Sequence, residues 1–140
     1  MADPKTNPFV DMLEKSNEAA AQIAKKMEDD YLKVVEAGFL LFSAIVTSKG
    51  ADAAVVRTER LSDARSFKIW HITRNAKGEK VENMFSVAIN HEGHVAVMLH
   101  GDWVAETVVI DGVNKTRTKR WSTIEDAFKA IVVAMATKPF

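Results

Sequence analysis

From Phe9 to Ala37 the apolar and small residues Leu13, Ala20, Ile23, Ala24, Met27, Tyr31, Val34 and Val35 recur on a helical period, with no Gly or Pro among them. Asn7-Pro8 opens this run well. Asn is a strong N-cap, and Pro at the first helical position lacks an N–H that would have no partner anyway. Asp11 and Glu14 suit the positive end of the helix dipole. The pattern predicts a helix over 8–37, with Gly38 as its C-cap. At 1.5 Å per residue it is about 40 Å long. That is more than a 140-residue globule, with a gyration radius of about 15 Å, needs to cover one sheet. Either the helix breaks or part of it overhangs, and an overhang with an apolar stripe points to a dimer or a partner helix.

The segment 38–66 is ambiguous. Phe39-Leu40-Leu41-Phe42-Ser43-Ala44-Ile45-Val46-Thr47 lacks polar alternation, so a buried strand and a continued buried helix fit it equally well. Ala51 to Leu61 holds good helix formers, yet Val55 to Thr58 also reads as a strand.

Beyond this the period changes to two. Strands are predicted at Phe67–Arg74, Val81–Asn90, His94–His100, Trp103–Ile110 and Val113–Trp121. The turn signals between them are Asn75-Ala76-Lys77-Gly78, His91-Glu92-Gly93, Gly101-Asp102 and Asp111-Gly112. Together they describe a five-stranded antiparallel meander over about 67–121. Ser122-Thr123-Ile124-Glu125 has the form of a capping box. It opens a helix over about 122–137 with Ile124, Ala127, Phe128, Ile131, Val132 and Met135 on one stripe. Ala130, Val133 and Ala134 widen the stripe, so this helix is expected to be covered on more than one side. The fold class is α+β: long N-terminal helix, five-stranded antiparallel sheet, C-terminal helix packed on the sheet, in a single domain over 1–140.

Composition narrows the function. With 47% hydrophobic residues the chain can build a core. It has no cysteine, which excludes disulfides, thiolate catalysis and Cys-based metal sites. The longest apolar run, Ala37 to Val46, is short of the roughly 18 residues that span a bilayer, and the start lacks a signal-peptide pattern. A cytoplasmic protein with no membrane partner is the expectation. Lys+Arg 19 against Asp+Glu 19 gives no net charge, but the charge comes in blocks. Residues 1–37 are acidic and 57–80 basic, 81–112 hold five acids and no Lys or Arg, and 113–121 carry Lys115, Arg117, Lys119 and Arg120 with no acid. Such blocks either neutralise one another within the fold or steer a partner to one face.

Catalytic signals are thin. His91, Glu92 and His94 bracket a turn, but lack the helical spacing of zinc hydrolases, and His100 is about 20 Å from His94 along an extended strand. A single His-x-Thr, His71-Ile72-Thr73, has no second copy to pair imidazoles for acid–base work on a phosphodiester. No nucleophile elbow and no phosphate-cradling Gly-rich loop is present. No cofactor, metal or catalytic residue is assigned.

Two binding readings remain beside the histidine-based hydrolase or metal protein. Strand alternation puts Lys115, Arg117, Lys119 and Trp121 on one face, and Lys68, Trp70 and Arg74 on another. Cations with aromatic rings suit single-stranded nucleic acid, although repeated Lys/Arg also guards a sheet edge against further pairing. Surplus apolar helix surface without catalytic motifs favours a non-catalytic binding or adaptor protein. It is expected to pair with itself and with another protein through Leu13, Ala20, Met27, Tyr31, Ile131 and Met135.

Overall fold

A computed structural model of the chain describes residues 7–49, 54–60 and 64–137. It is an α+β fold: a long N-terminal helix, a five-stranded antiparallel sheet, and a C-terminal helix packed against that sheet.

Helix α1 runs from Pro8 to Lys49, 42 residues or about 63 Å. Asn7 caps it by accepting the Phe9 N–H at 3.0 Å. The helix does not stop at Gly38, as the sequence suggested. Gly38 is buried in mid-helix and faces the sheet, and the apolar run after it continues the helix. A glycine is required there by close approach: a Cβ would lie 2.5 Å from the Phe67 ring.

The sheet contains β1 (Ala54–Arg60), β2 (Ala64–Arg74), β3 (Lys80–Asn90), β4 (Val95–Leu99) and β5 (Asp102–Trp103), in that spatial order and all antiparallel. Val55–Thr58 is therefore strand. Residues 50–53 and 61–63, where the sequence left helix and strand open, lie outside the described residues.

The sequence placed 103–110 and 113–121 as the last two strands of one meander. Instead, β6 (Ala105–Ile110) and β7 (Val113–Thr118) pair only with each other, as a two-stranded ribbon. The break falls at Val104, whose N–H donates to Val97 O while its own carbonyl accepts from Lys119 N–H. The outer edge of β4 is shared by β5 and Trp121, which pairs with Val95. Helix α2 spans Ile124–Thr137, and its cap is Thr123, not Ser122: the Thr123 hydroxyl accepts the Asp126 N–H at 3.1 Å.

One sheet face carries Phe67 and Ile69 of β2, Phe85, Val87 and Ile89 of β3, and Val95 and Val97 of β4, all buried. Both helices cover it. From α1 come Tyr31, Val34 and Ile45, and from α2 Ala127, Phe128 and Ile131. The opposite face carries Lys68, Trp70 and Arg74 and small residues such as Ala88 and Ala96.

Candidate interaction surface on the first helix

Met27 is the first residue of the α1 stripe to be buried, at 7% exposure, with Arg65 Nη1 3.7 Å from its sulfur. Beside it the Glu28 carboxylate accepts hydrogen bonds from Arg60 at 2.7 Å and Arg65 at 3.2 Å. The Arg60 guanidinium also lies 5.0 Å over the Tyr31 ring. The Arg60 hydrogen bond, more than any other influence, pulls the Glu28 carboxyl below its ordinary value of 4.5. This clamp fixes α1 to the sheet edge, joining the acidic first block to the basic block after it.

N-terminal to the clamp, the helix continues over residues 8–26, about 28 Å, without a sheet beneath it. The stripe does not end there. Phe9, Met12, Leu13, Ser16, Ala20 and Ile23 lie on the side of the cylinder that Met27 to Ile45 presents to the core. Phe9, Met12, Leu13 and Ile23 are 66%, 61%, 65% and 50% exposed. A solvated helix of this length is marginal on its own. Its one internal ion pair, Lys15 with Asp11 at 3.1 Å, is fully surface-exposed and adds at most a few tenths of a kcal/mol.

The six residues expected at an interface therefore divide. Leu13 and Ala20 are exposed on the overhang, whereas Met27, Tyr31 and Ile131 are consumed by the chain's own core. Met135 is half-buried. With Leu41, Ile45, His71 and Val132 it lines a cavity of about 240 Å³ between the ends of the two helices. Further exposed apolar side chains are Leu32, Phe39 and Leu40 of α1, Val55 of β1, Trp103 of β5, Val132 and Val133 of α2, and Val109, Ile110 and Val113 at the ribbon tip. Leu40 and Val132 sit on a second groove of about 420 Å³ between α1 and α2, floored by Leu41 and Phe128.

The basic–aromatic residues do not converge. Lys68, Trp70 and Arg74 belong to the five-stranded sheet, and Lys115 and Arg117 to the ribbon. Lys68 is paired with Glu59 at 3.0 Å, Arg74 donates to Gly78 O at 3.0 Å, and Arg117 is paired with Glu106 at 3.1 Å. Lys119 stacks 4.2 Å over the Trp121 ring, a contact within the chain. Arg117, Lys119 and Arg120 do line a cleft of about 450 Å³ with Trp103, over Ala88 and Ala96.

Of the histidines, His91 and His94 both face Glu92, at 3.6 and 3.2 Å. His100 packs edge-on to Phe85 with its Nδ1 3.1 Å from Asn83 Oδ1. Among the described residues no group of three or more His, Asp or Glu is placed to hold a metal ion. His71 is buried at the cavity between the helix ends, and burial, helped by the Lys49 charge, pushes its imidazole below the ordinary 6.5. Such a group binds its proton less readily folded than unfolded. Stability from this source is then full above pH 6.5 and falls as the pH drops from 6.5 to the lower folded value. Urea midpoints measured between pH 7.5 and 5 are expected to fall across that window, and His71→Asn is expected to flatten the fall; an equally steep profile in the variant would remove His71 as its cause.

No known protein family, no curated protein and no solved structure matches this chain.

The sequence did not disclose the Gly38–Phe67 contact or the Glu28–Arg60–Arg65 clamp. A signal for the clamp was present in the opposite charges of the blocks 1–37 and 57–80. For Gly38 there was none, since a capping glycine and a close-approach glycine look alike.

Proposed function

We propose that the chain is a non-catalytic protein-binding module that works as a homodimer. The overhanging part of α1 joins the copies, and the ribbon tip and the α1–α2 groove are left to a second protein. One observation carries the reading: a single helical stripe is buried on the sheet from Met27 to Ile45 and continues, equally apolar at Phe9, Met12, Leu13 and Ile23, with none of the described residues packed beneath it. Exposed apolar surface of this kind, rimmed by charge, is where proteins meet partners.

By length and composition α1 is also apolar enough to cross a membrane, with a mean hydropathy of 1.5 over 18 residues. Val34, Gly38 and Ile45 are buried against the sheet and support a helix packed along one side, with 22% of that apolar window buried. A nucleic-acid role draws less support, because Lys68, Arg74 and Arg117 are each satisfied within the chain.

Backbone hydrogen exchange tests the reading. Amides of residues 12–26 are expected to be protected at high protein concentration and to lose that protection on dilution, while those of β2 and β3 stay protected throughout. Overhang amides that exchange freely at every concentration would contradict it.

A further inference from the structure

Resting on that reading, we infer that the occupant of the overhang stripe is the overhang of a second copy, running antiparallel in a register that sets Leu13 beside Ile23 and Ser16 beside Ala20, with Phe9 level with Met27, where the stripe passes into the core.

Charge sets the direction, the sheet edge sets the register, and shape and area agree with both. Residues 8–18 carry Asp11, Glu14 and Glu18 against Lys15, while 19–26 carry Lys25 and Lys26 and no acid. An antiparallel pair in this register lays Asp11 level with the partner's Lys25 and Glu14 beside the same basic end, while the two Glu18 side chains, on the side of the helix away from the stripe, stand level at the twofold axis. A parallel pair lays like beside like. Helix axes about 8–10 Å apart are near the Debye length at physiological salt, so the difference is felt even where these side chains do not touch. The helix dipoles favour the same direction.

The second feature is where the sheet begins. At Met27 the stripe meets the body: Arg65 lies against its sulfur, and Lys26 reaches the β3–β4 turn at Gly93. A partner helix lying under the overhang takes the place that the sheet takes further along. Contact along the whole of both overhangs brings Pro8, where its helix begins, level with this edge. Full overlap of the two overhangs therefore sets Phe9 at the level of Met27, and the other pairs follow from the helical rise.

The third is shape and area. Large exposed side chains stand at the two ends of the free stripe, Phe9, Met12 and Leu13 at one and Ile23 at the other, with Ser16, Ala19 and Ala20 between. In this register Leu13 meets the partner's Ile23 at both ends, and the small residues let the helices approach at the twofold axis. The four exposed apolar side chains present on the order of 400 Å² per copy. With the flanking small residues, two copies reach the roughly 1,000 Å² that a specific interface needs.

The chain has no cysteine, so single introduced thiols report the register cleanly. Leu13→Cys and Ile23→Cys are each prepared alone and as a mixture, unfolded and refolded together to exchange copies, then treated with a short bis-maleimide. In the antiparallel register Leu13 faces the partner's Ile23, while like positions are ten residues apart, about 15 Å. The expected result is a cross-linked species containing one of each variant in the mixture, at least ten-fold above either variant alone. Strong cross-linking of each variant alone, with no mixed product, would establish a parallel pair and overturn the register. Dimers by sedimentation that cross-link in no combination would overturn it as well, by placing another face at the interface. A chain that sediments as a monomer, wild type included, would instead remove the self-association on which the register rests.

Discussion

Gly38→Ala is expected to destabilise the fold by about 1–3 kcal/mol, the usual cost of overpacking a filled core. Helix propensity alone argues the opposite, since Ala is favoured over Gly in a helix interior by about 1 kcal/mol. Packing decides. The added Cβ would lie 2.5 Å from Cδ1 and Cε1 of Phe67 and 2.7 Å from Cγ. Phe67 is buried, and the half-exposed Phe39 packs edge-on to it with centroids 5.1 Å apart, so the ring moves only by displacing its neighbours. The helix must lift from the sheet instead, loosening Val34 and Ile45 on either side. Urea denaturation is expected to show a lowered midpoint, and Gly38→Ala with Phe67→Leu is expected to lose less than the two changes summed, because the shorter side chain removes the clash. A midpoint unchanged or raised in Gly38→Ala would mean that the helix does not approach the sheet this closely.

Leu13→Glu combined with Ile23→Glu is expected to weaken self-association at least about a thousand-fold. Burying one such aliphatic side chain contributes about 1.5–3 kcal/mol, and a symmetric dimer loses each of them twice. Stability of the separate chain is expected to stay within about 0.5 kcal/mol, because both residues are exposed there and touch nothing in the core. Met27→Glu makes the contrast, since Met27 is both the end of the stripe and part of the protomer's packing against Arg65. It is expected to lower stability and association together. If the double variant unfolded as Met27→Glu does, the overhang would be part of the protomer's own core; if it still dimerised, the contact would lie elsewhere.

Much of the architecture was legible because local signals were strong. Asn7-Pro8 fixed the start of α1. Asp111-Gly112 gave one turn, and the turn read at Gly101-Asp102 falls one residue earlier, at His100-Gly101, with Asp102 already paired to Leu99. The Gly101 and Gly112 backbones do adopt positive φ, 87° and 75°. The end of α1 was hidden by Gly38, whose role is to admit a ring from another element. The ribbon was hidden because Val104, which breaks the strand, reads like any β-branched strand residue. The apolar stripe was visible from Leu13 to Tyr31, but its division into core and free surface was not. That division depends on where β2 and the β3–β4 turn end against the helix, a long-range fact that no spacing within the helix encodes. Likewise, alternation correctly placed Lys68, Trp70 and Arg74 on one face, while only the tertiary fold shows Lys68 held by Glu59 and Arg74 by Gly78.

The central claim is that the overhang of α1 joins two copies. Sedimentation equilibrium of the unmodified chain across the micromolar range tests it most directly. The account predicts a mass of twice 15.5 kDa at the upper end of that range, falling toward the single-chain value on dilution; a mass of 15.5 kDa at every concentration would contradict it.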